Sequence, residues 1–478
     1  MNRIPLPARA LLLGASVVAA LAAAPRAAPA QAAGPKATPA AIDIPFEHYV
    51  LPNGLNVILS QDHATPTVAV DVMYHVGSKN EQPGRTGFAH LFEHVMFTGS
   101  GHVPYGLHDK LTEGVGGGNN GSTNNDVTTY FETIPSNYLE DALWLESDRM
   151  GWLLDALDAA KYNAQRDIVK NERRQRVDNQ PYGRADEVIS AAIYPKGHPY
   201  SWPVIGSMAD LSAASIEDVK NFFRLYYAPN NATLTIVGDF DPAQARAWVA
   251  KYFGGISRGR PIVRPTDKPV TLAAEKRLVL EDRVQVPRLY LRWPTVGERS
   301  EDKYALEVLG GILAGPRTAR LTKALVYDRQ SAASVSAYQD SNEDVGEFSV
   351  TLTPRPGHTL TELEVATDSI VDRVKREGPT ADELQRAKAP AQLQFVRGLE
   401  SNLGKVFQLA QGQVFDNDPG HFKVDYARRQ AVSAADVQRV ALRYLSHGRV
   451  VLSVVPTGKK DQAAKPEQSR TVTDTEAR

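Results

Sequence analysis

Apolar positions along this chain fall into strand-like and helix-like runs, and the order of those runs repeats once. β-branched or alternating segments occur at Asn56–Leu59 and Val68–Tyr74, and again at Leu278–Leu280 and Arg288–Trp293. Helical spacing follows in each half: Phe88, Leu91, Phe92, Val95, Met96 and Phe97 first, then Tyr304–Leu313. Each half closes on a helix and a β-branched strand. Leu211-Ser212-Ala213-Ala214 with Val219 lies against Val432-Ser433-Ala434-Ala435 with Val440 without a gap. Tyr226 and Tyr227 lead to Thr233–Val237, as Tyr444 leads to Val450–Val455. Duplication of a whole domain is the simplest account of this series, although Ser before Ala-Ala is also ordinary helix-start chemistry. Strands followed by grouped helices predict an α+β fold. The expectation is two homologous domains, each a mostly antiparallel sheet with helices packed on one face, forming a half-shell.

Breakers set the boundaries. Gly254-Gly255, Arg258-Gly259-Arg260-Pro261 and Pro265 to Pro269 make a polar join, giving domains at 43–256 and 270–456 with a linker at 257–269. Residues 457–478 are polar and charged without an apolar period, and read as a disordered tail. At the other end, Arg3 and Arg9 precede an apolar run from Ala10 to Ala24. Small-x-small sites follow at Ala28-Pro29-Ala30 and Ala30-Gln31-Ala32. This is the three-part pattern of a secretory signal peptide over 1–33, followed by a Pro/Ala-rich leader over 34–42. The run is short for a span of about 20 residues. It therefore predicts cleavage and a periplasmic or secreted protein with no stable membrane anchor.

Composition narrows the chemistry. The formal net charge is −1 at pH 7, which does not suggest nucleic acid or an anionic membrane as the main partner. There is no cysteine, so disulfides, iron–sulfur clusters, thiolate zinc sites and a cysteine nucleophile are excluded. The chemistry concentrates in His90-Leu91-Phe92-Glu93-His94. Histidines four apart share one helix face, a turn apart, and can grip one tetrahedral metal ion. Glu93 projects from nearly the same face, where it could take a proton from a water on that metal. The order H-x-x-E-H inverts the commoner H-E-x-x-H. Two histidines do not complete a catalytic zinc site, which usually takes three protein ligands. The charged amphipathic helix from Tyr162 to Arg176 carries Glu172, which taken alone reads as a solvated helix charge. The other histidines, among them His48, His63, His75, His102 and His108, form no tract and read as surface or locally satisfied residues.

The run from His90 through Met96-Phe97-Thr98-Gly99-Ser100, followed far along the chain by a charged helix bearing Glu172, resembles the inverzincin peptidases: pitrilysin, insulin-degrading enzyme and the mitochondrial processing peptidase. Asn120-Gly121-Ser122-Thr123 through Tyr130 resembles the family's substrate-side strand. His198-Pro199-Tyr200 with Gly206, and Tyr227-Ala228-Pro229-Asn230-Asn231-Ala232 through Gly238-Asp239, resemble its first-domain ending. The resemblance spans Asp43 to Pro456. It implies one Zn2+ per chain held by His90, His94 and Glu172, with Glu93 as general base. It also implies a peptide substrate met by Asn120 and Gly121, added as an extra strand on a sheet edge beside a mobile rim at 114–120.

Two departures from the family pattern matter. Gln165 stands where relatives often carry a helper glutamate, and Val326 and Ala333 stand where a second-half arginine and tyrosine are expected, with Tyr327 and Arg329 off register. The resemblance then implies a homologous, metal-free sister subunit supplying that pair. The leading expectation is an exported zinc endopeptidase acting on peptides or unfolded segments. The alternatives are a non-catalytic or weakly active processing-peptidase-like subunit that binds polypeptides or a partner, and a metal-buffering protein.

Overall fold

A computed structural model describes residues 42–264, 269–446 and 448–473. The signal peptide and leader expected over 1–42 lie outside these residues apart from Ile42, and the centre of the 257–269 linker does too. No helix among the described residues is long and apolar enough to cross a membrane.

Residues 43–473 form one unit built on two six-stranded sheets. The first contains β1 (Glu47–Val50), β2 (Asn56–Gln61), β3 (Thr67–Tyr74), β4 (Gly118–Thr123), β5 (Thr128–Pro135) and β6 (Ala232–Gly238). The second contains β7 (Lys276–Asp282), β8 (Arg288–Val296), β9 (Ala332–Ser341), β10 (Val345–Pro354), β11 (Val450–Pro456) and β12 (Arg470–Thr471). The strand orders are β1-β2-β6-β3-β5-β4 and β12-β7-β11-β8-β10-β9, so five strands of each sheet occupy equivalent places. In both, the closing strand runs parallel to the first of these five and antiparallel to the second. The remaining ladders among these five strands are antiparallel.

The duplication is real in topology, but its register differs from the sequence alignment. Ser215 caps the helix Ile216–Tyr226 and Ser433 caps Ala434–Tyr444, each in a capping box closed by the aspartate three residues on, Asp218 or Asp436. Ser215 therefore matches Ser433, and Tyr226 matches Tyr444. Ser212 sits instead inside the preceding short helix Met208–Ala213. Serine recurs on both sides of the break, so the run of small residues alone could not choose the cap.

Residues 457–473 are ordered, unlike the expected disordered tail, and 474–478 lie outside the described residues. Ala463 and Ala464 are buried, the Ala464 N–H donates to Ser453 Oγ (3.0 Å), and β12 pairs parallel with β7. These anchors are too few and too small to show a period, yet β7 offers them a free edge. The sixth, edge strand thus comes from opposite ends of the two repeats: β1 precedes its sheet in sequence, whereas β12 follows its own.

Each sheet carries its own helices on one face. In the first core, Phe92, Leu143, Val219 and Val249 meet Val70, Val72 and Ile236. In the second, Leu309, Val371 and Val440 meet Leu291 and Val350. The opposite face of each sheet is covered by a helix from the other half. Ala185–Ile193 puts Val188 and Ile189 against Leu278, Leu280 and Leu452. Asn402–Asp416 packs on β3 and β6, with Ala410 against Met73 and Phe407 edge-on to Phe131 at 5.1 Å. Full burial of one such aliphatic side chain contributes about 1.5–3 kcal/mol, so this reciprocal exchange couples the halves strongly.

Two hairpin turns form a second seam. Asp126, in the β4–β5 turn, accepts from the Glu343 N–H (2.9 Å), from Tyr200 Oη (2.5 Å) and from Lys79 Nζ (2.9 Å). Glu343 and Asp344 belong to the β9–β10 turn, and Lys79 also reaches both of them. His75 Nε2 lies 2.7 Å from Glu343 and Arg299 lies 2.6 Å from it. Burial alone would raise the Glu343 carboxyl, but His75 and Lys79 outweigh it and hold it at about 2. A carboxyl held below its unfolded value of about 4.3 contributes stability above that pH, and the contribution fades as pH falls through the folded value. Between about pH 5 and about pH 3, wild-type stability should therefore fall more steeply than that of Glu343→Gln. Parallel denaturation curves for the two proteins would remove Glu343 from the seam's pH response.

Candidate functional site

The helix Phe88–Val95 sorts its residues by face. Phe88, Leu91, Phe92 and Val95 are buried, with Phe92 stacked on Phe222 (5.9 Å) and Phe223 (5.7 Å). His90, Glu93 and His94 are left on the half-buried side. The helix starts at Gly87, whose φ of 89° favours glycine and where a Cβ would meet the Ile205 carbonyl at 2.7 Å. Its first N–H groups are satisfied by Glu81, whose carboxylate accepts from Gly87 and Ala89 at 2.8 Å each. Burial pushes the Glu81 carboxyl well up, opposed by these same backbone donors.

Glu172 arrives on the helix Ala159–Arg173, which packs against the first one. Val169 and Tyr162 anchor it in the core. Arg173 fixes its end through Glu187 (2.6 and 2.9 Å) and the Gly206 carbonyl (2.8 Å). A wide π-type turn over Arg174–Asp178 follows, a distortion that often occurs at functional sites. The helix therefore ends three residues earlier than the sequence suggested.

His94 Nε2 lies 3.2 Å and His90 Nε2 3.7 Å from the same Glu172 oxygen, Oε2. The other oxygen accepts from Arg176 (2.7 Å), an exposed side chain that orients more than it stabilises. One ligand atom from each of the three residues lies within 4.8 Å of the others. Burial, then the neighbouring His94, pushes the His90 imidazole down to about 4, so it is neutral and its lone pair is available to a cation. Two imidazole nitrogens and a carboxylate oxygen are a donor set suited to zinc. Burial raises the Glu93 carboxyl, opposed by Thr123 and His94. A cation held beside it would draw it back down. Gln165 stands two turns before Glu172 on the same helix, so no carboxylate occupies that position.

The strand expected from Gly121 to Tyr130 is instead two strands and a turn. Asn124 Oδ1 accepts from the N–H groups of Asp126 and Val127, 2.8 Å each, and this local turn outcompetes continued extension. The supposed mobile rim is also partly strand, because β4 begins at Gly118. β4 is an edge strand among the described residues, so one side of its backbone pairs with no other strand there. Gly121 lies against the motif helix: a Cβ there would stand 2.9 Å from Glu93 Cγ and 3.3 Å from Phe97 and Tyr130. Its role in the structure is close approach. Gly121→Ala should displace Glu93, and an unmoved Glu93 in a structure of that variant would separate Gly121 from its positioning. Asn120 is exposed, and its Oδ1 accepts the Gly121 N–H (2.8 Å).

Val326 is partly buried against the second core and Ala333 is exposed on β9. Among their neighbours, the Tyr327 ring lies under Arg317 (4.5 Å) and Arg320 is tied to Glu383 (2.8 and 2.9 Å). The sequence reading also missed a buried group. His108, read as a surface or locally satisfied residue, lies beneath the site with Glu132, Glu146 and Arg149. These residues come from three separate elements, so no spacing could have announced them.

The family model described as Insulinase (Peptidase family M16) matches residues 56–204, and that described as Peptidase M16 inactive domain matches 213–390. The chain is 29% identical to Zinc protease PqqE of Helicobacter pylori over 405 residues, 83% of this chain and 90% of that protein. A solved structure of a protease from Helicobacter pylori superposes with a TM-score of 0.81 at 27% identity, over 86% of this chain and all of the other. A probable mitochondrial-processing peptidase subunit beta of Arabidopsis thaliana is 22% identical, over 85% of this chain and 77% of that one.

Proposed function

Because this chain belongs to the insulinase (M16) peptidase family, we propose that it is a zinc-dependent endopeptidase acting on peptides or unfolded polypeptide segments. The observation that carries the reading is the convergence of His90 and His94 on one oxygen of Glu172, with Glu93 on the same helix face. His90, His94 and Glu172 would hold one Zn2+. When bound, zinc supplies Lewis acidity, polarising a peptide carbonyl and making water a nucleophile near neutral pH. The remaining work belongs to the chain. Glu93 takes the proton of the attacking water and delivers it to the departing amine, a transfer its partly dry surroundings favour. The free edge of β4 aligns an extended peptide by main-chain hydrogen bonds. Asn120 is exposed enough to swing away and release the Gly121 N–H to that peptide, which gives both residues a part in binding.

The absence of an arginine and tyrosine at Val326 and Ala333 supports a sister subunit that supplies them. The relative named as a processing-peptidase subunit is, by its name, one part of an assembly. The same absence is the observation that favours the second reading, a non-catalytic subunit that binds polypeptides or a partner. Residues 1–33 support export to the periplasm or beyond. A quenched peptide assayed with and without chelator tests activity, first with the chain alone and then mixed with a homologue lacking H-x-x-E-H. Chelator-sensitive cleavage that rises on mixing is the expected result. Full activity in the lone chain would refute the sister subunit. Zinc binding with no cleavage in either assay would favour the non-catalytic reading.

A further inference from the structure

Below the motif helix, the first half buries a second set of donors. His108 comes from the helix Leu107–Gly114, Glu132 from β5 and Glu146 from the helix Leu139–Ala156. They are 8%, 0% and 1% exposed. One donor atom from each lies within 4.8 Å of the other two, and His108 Nε2 stands 3.4 Å from Glu132 Oε2. No hydrogen bond from the described residues reaches either oxygen of Glu132 or reaches His108 Nε2. A fully buried carboxyl in that condition is costly to keep unless something else meets it.

Arg149 does not meet that need. Its Nε donates to Glu146 Oε2 (2.8 Å) and its Nη2 to Glu146 Oε1, and its guanidinium covers the Tyr130 ring at 4.6 Å. One guanidinium offsets only one of the two carboxylates, and burial pushes the Glu132 carboxyl up to about 8, so without a cation it keeps its proton near neutral pH. His108 cannot supply the balance as a cation: burial, then Arg149, pushes its imidazole down to about 4. Neutral imidazole is instead the form that ligates metals. The proton on Glu132 cancels the charge but leaves the polar atoms poorly met, since His108 Nε2 stands 3.4 Å from Glu132 Oε2, longer than an ordinary O–H hydrogen bond. A divalent cation answers both needs together, because it meets Glu132, His108 and the unused lone pairs of Glu146, while Arg149 holds Glu146 in place as an outer partner.

We propose that His108, Glu132 and Glu146 form a second, structural site for a divalent transition-metal ion, zinc by donor type, distinct from the His90–His94–Glu172 centre. The donor set of one nitrogen and two carboxylates suits zinc or manganese better than calcium. The depth of the site means the ion enters during folding and exchanges slowly. It ties the sheet strand β5, whose Tyr130 and Glu132 lie below the motif helix, to two helices that otherwise meet it through small contacts.

The test uses the whole chain with the first centre disabled. His90→Ala/His94→Ala protein, unfolded, stripped and refolded with zinc chloride, should retain about one zinc per chain by mass spectrometry. Adding Glu132→Gln, which keeps the shape and removes the charge, should abolish that equivalent. His108→Gln should do the same if the first addition prevents folding. Refolding in chelator should lower the Tm of the parent variant and leave the Glu132→Gln variant unchanged. Failure of the parent to bind zinc, or binding undiminished by both substitutions, overturns the site. These outcomes do not depend on peptidase activity, so they stand apart from the reading of the first centre.

Discussion

Glu93→Gln is expected to keep its bound zinc and lose peptidase activity by roughly a hundred- to ten-thousand-fold, the range for removing a positioned general base. The amide preserves the size of the side chain, its packing against Gly121 and the geometry of both flanking histidines, because none of these contacts needs the charge. What it loses is the ability to accept a proton. The loss should therefore fall on turnover, with little change in the KM for an extended peptide, since the proposed binding edge is on β4 and not on Glu93. Turnover and zinc content measured on the same preparation check this. Undiminished activity would show that another base serves the site, and zinc loss would show that Glu93 supports the ligands and is not merely beside them.

Glu172→Ala is expected to weaken zinc binding at the first centre by about a hundredfold or more and to abolish activity at limiting zinc. Removing an outer partner of a ligand already costs about 10- to 100-fold, and Glu172 Oε2 is the atom on which both imidazoles converge. The substitution also frees Arg176, but that side chain is 77% exposed, so leaving it unpaired costs little stability. The fold should survive, anchored by Val169 and by the Arg173–Glu187 pair one residue further on. Activity titrated in zinc buffers is the cleaner readout, because total metal would also count an ion held at His108, Glu132 and Glu146. An unchanged titration would move the third ligand elsewhere.

A helix must put residues four apart on one face, so His90-x-x-Glu93-His94 was legible as a unit before any fold was known. The apolar residues between them fixed which face was buried. The strands at Val68–Tyr74 and Arg288–Trp293, and the repeat they belong to, were legible for the same reason: a local period survives in sequence. The register of the repeat was carried by a subtler signal, the capping boxes Ser215 with Asp218 and Ser433 with Asp436, which a match of Ser-Ala-Ala runs passes over.

Sequence by itself determined the residue kinds, their faces and the duplicated plan. Tertiary structure decided what crosses between elements. Glu172 reached the histidines through helix–helix packing, Asn124 turned one expected strand into two, and Ala463 with Ala464 joined the second core. Helices from each half covered the sheet of the other, and three donors from separate elements met at Glu132. Periodicity records which side of an element faces inward. It carries no information about which element waits there, since apolar burial is indifferent to its partner's place in the chain.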